Sequence, residues 1–160
     1  MSRHFLLSLL FVCSLALADQ AIRPTLSSGI EAVGTDERQA VELAMKEYAE
    51  ALRVGTPETV VAHYTIDGQL LLPGLAPLRG REAIRAFLAP LVASTEVESV
   101  EVNTEVVETH GNTADQWGTY RQVAGERGKA KQTFQGRYAA LWYLEKDGRW
   151  RLFRLMMQPV

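Results

Sequence analysis

YTIDGQLLLPGLAPLRGREAIRAFLAPL, residues 64–91, is the stretch of the sequence that decides the fold. Asp67 followed by Gly68 is typical of a turn, because the acidic side chain can bond its own backbone and glycine accepts unusual dihedral angles. Residues 69–72 are mostly apolar and end at Pro73, which has no N–H to donate within a sheet. This first half of the stretch therefore predicts a turn followed by a short strand.

The second half of the stretch predicts an amphipathic helix. A loop with two prolines and two glycines ends at Gly80, and apolar residues then recur at intervals of three and four, the spacing that puts them on one helix face. Those residues are Ile84, Phe87, Leu88 and Leu91. Pro90 is expected to limit the helix, because its ring removes one backbone hydrogen bond and clashes with the preceding turn.

Two more helices are predicted before this stretch. Asp36 can cap the first, with Gln39 three residues later, and Gly55 ends it. Thr56 followed by Pro57 predicts the start of the second helix, since a threonine cap and a first-turn proline both suit a helix N-terminus. The apolar stripe of the first helix is Val41, Ala44, Met45, Tyr48 and Leu52.

After Thr95 the apolar period changes from 3.6 residues to two, which indicates strands with one dry and one wet face. The predicted strands span residues 100–106, 114–123, 132–144 and 149–158, and an Asp-Gly turn at 147–148 joins the last two. Helices and strands of this kind bury their apolar faces against one another. The predicted fold class is α+β, with three N-terminal helices packed on a curved, mostly antiparallel sheet that forms a cone or half-barrel with a central pocket.

The first 18 residues have the features of a secretory signal peptide. An apolar run from Phe5 to Leu17 follows Arg3, and Ala16 to Ala18 form a small-x-small cleavage site. The run is shorter than the roughly 20 residues that a membrane-spanning helix needs. We therefore expect a secreted or periplasmic protein, cut after Ala18, without membrane attachment after cleavage.

Cleavage after Ala18 would leave a mature chain with a short leader and one domain. Cys13 is the only cysteine and leaves with residues 1–18, so the mature chain has no disulfide. Residues 19–34 contain proline and glycine without periodicity and predict a flexible leader. Residues 35–160 then form one domain.

Composition and motifs exclude several classes of function. The 17 Lys and Arg residues are outnumbered by 19 Asp and Glu residues, whereas nucleic-acid-binding proteins usually carry a basic excess, so we expect no nucleic-acid partner. The sequence has no P-loop, no G-x-G-x-x-G, no G-x-S-x-G and no histidine pair at metal-ligand spacing. We therefore expect neither a metal nor a cofactor.

Taken together, these patterns resemble the SnoaL-like branch of the nuclear transport factor two-like superfamily. The resemblance covers residues 35–160 and rests on YTIDG at 64–68, GREAI at 80–84, GRY at 136–138 and KDGRW at 146–150. It implies a pocket between helices and sheet that takes a small, largely apolar molecule. Enzymes, binding modules and oligomerisation domains all use this fold, so the fold alone does not establish a function.

Ketosteroid isomerase, a member of the same superfamily, shows what a reaction would require. Its mechanism uses a carboxylate base and an oxyanion hole made by a tyrosine and a protonated aspartic acid. The resemblance places the tyrosine at Tyr48, but the base falls at Leu72 and the aspartic acid at Ala140. Neither of these two side chains can exchange a proton, so isomerase chemistry of this type is not expected.

Tyr48 and His63 remain as weak catalytic candidates. Tyr48 lies on the apolar stripe of the first helix, where a buried tyrosine bonded to the backbone is the commoner role. His63 would need a carboxylate partner such as Asp67 and a place in the cavity, and is otherwise a partly exposed residue on the second helix. Arg154 either anchors a ligand among apolar groups or lies on the outer face beside a dimer interface.

The expected ligand pocket combines Tyr48, Tyr64, Leu72, Trp117, Tyr138, Trp142 and Arg154. The hypothesis we favour is an exported domain that binds a small, largely apolar molecule and forms a homodimer through the outer face of its sheet. The alternative is a cofactor-independent isomerase, dehydratase or cyclase that acts on a small organic substrate. One cavity that held both Tyr48 and His63 would favour the enzyme.

Overall fold

A computed structural model describes the backbone of residues 28–160 and the side chains of residues 36–160. The predicted signal peptide, residues 1–18, and most of the predicted leader lie outside the described residues. The described elements are α1 (Ser28–Val54), α2 (Pro57–Val61), β1 (Tyr64–Leu71), β2 (Leu78–Arg79), α3 (Gly80–Ser94), β3 (Thr95–His110), β4 (Thr113–Glu126), β5 (Gln132–Leu144) and β6 (Trp150–Pro159).

The six described strands form one curved sheet with the order β2-β1-β6-β5-β4-β3. β1 runs parallel to β6, and every other neighbouring pair is antiparallel. α1 lies across the inner face over β3 and β6, while α3 packs against β1. This arrangement confirms the predicted fold class.

The two faces of the sheet follow the alternation in the sequence. Along β4, Ala114, Gln116, Gly118 and Tyr120 are buried, whereas the residues between them are exposed or half-buried. β5 alternates in the same way from Gly136 to Trp142. The buried set points towards the helices, because successive side chains of a strand point to opposite faces. We call the helix-covered side the inner face and the opposite side the outer face.

Two glycines allow the sheet to bend around its core. A Cβ atom at Gly118 would lie 2.0 Å from the carbonyl oxygen of Asn103, and one at Gly136 would lie 2.2 Å from that of Gln158. Each glycine is paired across β4 and β5 with a tyrosine, Gly118 with Tyr138 and Gly136 with Tyr120. Backbone of the neighbouring strand therefore occupies the place of a side chain at both positions, and glycines of this kind support curvature in β-sheets.

Several predicted boundaries need correction, the first of them at α1. The helix begins at Ser28 rather than at Thr35 or Asp36, so it includes Gly34. A single glycine inside a helix costs only about 1 kcal/mol and does not end it. The residues before Ser28 lie outside the described part of the chain.

Asp67 and Gly68 do not form a turn but lie inside β1. The pairing of β1 with β6 is irregular between Tyr64 and Gln69, and a Cβ at Gly68 would lie 2.9 Å from the carbonyl oxygen of Leu152. Glycine at position 68 thus allows the backbones of β1 and β6 to lie close together. Glycine is common both in turns and at irregular positions of strands. The Asp-Gly pair therefore predicted a turn where the structure has a strand.

α3 continues through Pro90 to Ser94 and is longer than predicted. Its last turn is held from outside by Arg127, whose guanidinium donates hydrogen bonds to the carbonyl oxygens of Val92 and Ala93, both at 3.2 Å. Such bonds satisfy carbonyl groups that a helix end leaves free. Leu91, predicted on the apolar stripe, is 44% exposed.

We predict that Gly118→Ala lowers the free energy of unfolding by about 3 kcal/mol, because the added methyl group overlaps backbone that cannot move without disturbing β3. Chemical denaturation measures the loss. Gly128→Ala is the control: it has open space around it and a φ of 77°, so only the cost of about 1 kcal/mol for its backbone conformation is expected. Equal losses for the two variants would contradict this explanation of the bend.

Candidate functional site

A small cavity lies between α1 and the inner face of the sheet. Its volume is about 20 Å³, and its wall consists of apolar atoms. α1 provides residues at the spacing i, i+3, i+4 and i+7, and the other wall residues come from β3 to β6. The complete set is Met45, Tyr48, Ala49, Leu52, Val100, Val102, Tyr120, Gln122, Tyr138, Leu155 and Met157.

The size and chemistry of this cavity limit what it can hold. A volume of 20 Å³ is close to the space that one water molecule needs, about 10–15 Å³. A water molecule also needs polar partners, which an apolar wall does not give. Met45 and Met157 are the most adaptable wall residues, since methionine has three rotatable bonds and a polarisable sulfur atom.

Tyr48 and Tyr64 form a buried pair beside the cavity. Their hydroxyl oxygens are 3.0 Å apart, and their rings meet edge to face with centroids 5.7 Å apart. Burial raises the pKa of Tyr48 to about 12, although the hydrogen bond to Tyr64 lowers it in part. Burial also raises the pKa of Tyr64 well above its ordinary value. Both hydroxyl groups are therefore neutral at physiological pH and hold α1 to β1.

A second buried set of polar groups links three strands on the inner face. Trp142 donates from Nε1 to Oε1 of Gln116 at 2.9 Å, and Gln116 donates from Nε2 to Oγ1 of Thr104 at 2.9 Å. Thr104 in turn shares a hydrogen bond of 3.0 Å with the hydroxyl group of Tyr138. Because the polar side chain of the fully buried Gln116 is paired at both ends, the network stabilises the core rather than presenting a reactive group.

His63 does not join Tyr48 in the cavity. It lies in the turn between α2 and β1, not on the helix, and its ring meets the ring of Tyr48 edge to face at 6.1 Å. Burial lowers the pKa of His63, with a smaller opposing effect from Glu47. Asp67, the expected carboxylate partner, instead accepts a hydrogen bond of 3.0 Å from Thr65.

Arg154 and Trp117 lie on the outer face, away from the cavity. A register shift between β5 and β6 adds Phe153 as an extra residue on β6, so Leu152 pairs with Trp142 but Arg154 pairs with Leu141. The extra residue turns Leu152 inward and Arg154 outward. Arg154 and Trp117 therefore do not share one cavity with Tyr48, contrary to the prediction, and Arg154 lies on the outer face.

The remaining predicted pocket residues lie on the inner side. Tyr138 lines the cavity together with Tyr48. Tyr64 and Trp142 are fully buried in the surrounding core, and Leu72 packs against that core just beyond the end of β1. Sequence reasoning missed Met157 and Leu155 as wall residues, because the extra residue Phe153 reverses the parity of β6 after Leu152.

Between residues 36 and 160, no group of three or more His, Cys, Asp or Glu side chains is placed to hold a metal ion. No helix within the described part of the chain is long and apolar enough to cross a membrane.

The fold, with a small apolar cavity between helix and sheet, defines a cone-shaped α+β domain of the nuclear transport factor two-like class. The SnoaL-like domain family matches residues 45–153, more than half of the chain. The protein therefore belongs to the SnoaL-like domain family. No curated protein sequence matches it.

Solved structures show the same fold at low sequence identity. A ketosteroid isomerase-like protein from Erwinia carotovora atroseptica superposes with a TM-score of 0.70 at 17% identity, over 78% of this chain and 97% of that one. A nuclear transport factor 2-like superfamily protein from Salmonella enterica gives 0.67 at 15% identity, over 78% and 92%. A proposed scytalone dehydratase from Novosphingobium aromaticivorans gives 0.69 at 16% identity, over 79% and 85%.

We predict that Tyr48→Phe lowers the free energy of unfolding by about 2 kcal/mol, because it leaves the buried hydroxyl group of Tyr64 without its partner. The double variant Tyr48→Phe/Tyr64→Phe removes both polar groups, so its loss should be smaller than the sum of the two single losses. Urea denaturation of the four proteins gives this coupling energy directly. Strictly additive losses would show that the two hydroxyl groups do not stabilise each other.

Proposed function

We propose that this SnoaL-like domain binds a small, largely apolar molecule in the cavity between α1 and the sheet. The observation that carries the proposal is the cavity wall, which is made of apolar atoms from five separate elements. Ligand sites are typically concave and mostly apolar. A wall without a charged side chain favours an uncharged ligand, because a buried ion without a partner is strongly disfavoured.

The ligand enters by displacing side chains, since the cavity of about 20 Å³ is smaller than any organic molecule. Met45 on α1 and Met157 on β6 lie on opposite walls and can change rotamer at low cost. Leu52 lies two helical turns from Met45 on the same wall and is only partly buried. Movement of these three side chains would enlarge the space without a change in the sheet.

Binding is better supported than turnover. A general base must reach the proton that it removes, within hydrogen-bonding distance or through one water molecule. Of the eleven residues in the cavity wall, none carries a carboxylate or an imidazole group, and His63 lies outside it. The hydroxyl group of Tyr48 is engaged with Tyr64. The isomerase, dehydratase or cyclase alternative has no comparable observation in its favour.

We also propose that the domain works outside the cytoplasm. The support is the apolar run from Phe5 to Leu17 and the small-x-small site that ends at Ala18. A domain without disulfide bonds must then be stabilised by its core, and the buried set around Trp142 and Tyr64 is suited to this.

We predict that the protein, purified without denaturation from its native host, retains a small molecule that native mass spectrometry detects. Ala49→Leu puts a larger side chain in the cavity wall, which fills the cavity, and should therefore abolish the retained small molecule. Ala86→Leu, the same change on the exposed side of α3, should keep it. Thermal unfolding checks that both variants fold, since overpacking at Ala49 is expected to cost about 1–3 kcal/mol.

Two outcomes would contradict the binding proposal. One is a wild-type protein that carries no small molecule and takes up none from an organic extract of its host. The other is a retained mass that survives Ala49→Leu in a folded variant, because the molecule would then lie elsewhere.

We predict that intact mass spectrometry of the protein recovered from the producing host finds a chain that begins at Asp19. Ala16→Lys/Ala18→Lys should block the cleavage, because the processing site accepts only small residues. An unprocessed chain that begins at Met1 in the wild type would refute export by a cleaved signal peptide.

A further inference from the structure

The inner face of the sheet has a closed end and an open end. One row of register partners at the closed end is fully buried: Ala114, Trp142 and Leu152. At the other end, Gln122 on β4 is half-buried and its register partner on β5, Phe134, is 49% exposed. β6 ends at Pro159, one row before Phe134, and does not cover this end. Because Gln122 also lines the cavity, the cavity opens towards Gln122 and Phe134.

Tyr120 is the one tyrosine of the cavity wall whose hydroxyl group has no partner among the described residues. The hydroxyl group of Tyr48 bonds that of Tyr64 at 3.0 Å, and the hydroxyl group of Tyr138 bonds Thr104 at 3.0 Å. Tyr120 is only 8% exposed. Within the described part of the chain, no fully buried side-chain oxygen or nitrogen atom lacks a hydrogen-bond partner. The unpaired hydroxyl group of Tyr120 must therefore border open space.

Gln122 adds a second unpaired polar group at the same end. It is the next residue of β4 that points inward, so it lies about 7 Å from Tyr120 on the same face. Its amide group bonds no other described side chain, whereas the amide of Gln116 is paired at both ends. The cavity wall itself consists of apolar atoms, so both polar groups lie at its border. We call Tyr120, Gln122 and Phe134 the rim.

The rim carries no charge, and basic residues close to it in the sequence are engaged elsewhere. Arg121 alternates with the inward residues of β4 and points to the outer face, where it lies 3.9 Å from Glu101. Arg53 on α1 bonds Glu50 at 2.6 Å on the exposed side of the helix. An anionic ligand would therefore lose its hydration at the rim without gaining a cationic partner, which is strongly disfavoured.

We propose that the ligand of this cavity is an uncharged amphiphile, whose apolar chain or ring points towards Leu155 and whose single hydroxyl or carbonyl oxygen bonds Tyr120 and Gln122 at the rim. The assignment rests on the binding function proposed above and adds the chemical class of the ligand and its orientation.

The polar groups of the inner face determine this orientation. Beyond the rim, towards the closed end, the polar side chains of Gln116, Tyr138 and Trp142 are already paired with one another or with Thr104. A ligand oxygen placed there would find no free partner. At the rim, a hydroxyl group and a primary amide can both donate and accept, so they suit an alcohol or a carbonyl oxygen. A pure hydrocarbon would cover these two groups and leave them unpaired, which is costly.

The test uses octan-1-ol as the probe and the methionine methyl groups as reporters. Met45 and Met157 line the cavity, whereas Met156 lies on the outer face and is the internal reference. In spectra of protein labelled with ¹³C at these methyl groups, octan-1-ol should shift the signals of Met45 and Met157 and leave that of Met156 unchanged. Octanoate at pH 7 should bind at least about tenfold more weakly, because its carboxylate has no cationic partner.

Two variants remove the rim groups without changing the shape of the cavity wall greatly. Tyr120→Phe and Gln122→Leu should each weaken the binding of octan-1-ol by about fivefold or more, the effect of one lost hydrogen bond. Tyr143→Phe is the matched control, because it removes a tyrosine hydroxyl group on the outer face, where Tyr143 stacks on Phe153. Its affinity for octan-1-ol should equal that of the wild type.

The possible failures separate this assignment from the binding function on which it rests. Binding of octan-1-ol that Ala49→Leu abolishes, but Tyr120→Phe and Gln122→Leu leave unchanged, overturns the role of the rim and keeps the cavity as the binding site. Octanoate that binds as tightly as octan-1-ol overturns the uncharged class, as does a retained native molecule with a carboxylate or phosphate group. Methyl signals of Met45 and Met157 that do not respond to octan-1-ol contradict both proposals.

Discussion

The close approach of neighbouring backbones at Gly118 and Gly136 is the constraint on which the rest of the structure depends. At these two positions a carbonyl oxygen of the next strand occupies the place of a side chain, which lets β3 to β6 bend towards the helices. Tyr138 and Tyr120 stand opposite the two glycines and fill the inner side of the bend. Without the bend, α1 would meet a flat sheet and no cavity would form between them.

The bend also explains how the domain closes without disulfide bonds. The described core brings α1, β1 and the strand pair β5–β6 together around Tyr64 and Trp142, both of which are fully buried. Their polar atoms are not left without partners: Tyr64 bonds Tyr48, and Trp142 bonds Gln116. These bonds contribute specificity of packing, because any alternative packing would leave a buried polar group unpaired. The same closure reduces the cavity to the size of about one water molecule.

Element types could be predicted from the sequence, whereas details of register could not. Hydrophobic period identified the helices and the long strands, and the bounds of β5, Gln132–Leu144, were predicted as the structure has them. Glycine was the main source of error, because the same residue serves turns, helix interiors and close strand contacts. Gly34 lies in a helix and Gly68 in a strand, although both were assigned to irregular segments. Boundaries that depend on tertiary contacts, such as the end of α3 held by Arg127, leave no local signal.

The residues of the candidate site could be predicted only where inward and outward side chains alternate regularly along a strand. One extra residue, Phe153, reverses the direction of every later side chain on β6, so Arg154 moves from the predicted pocket to the outer face while Leu155 and Met157 turn inward. A second extra residue, Glu105 on β3, places Val106 on the outer face and Val107 in the core. The shift on β6 moves the charge of Arg154 out of the inner face, whereas the shift on β3 exchanges one valine for another there. The inward positions of Leu155 and Met157 in the cavity wall and the outward position of Arg154 are thus results of the same irregularity at Phe153, and neither can change without the other.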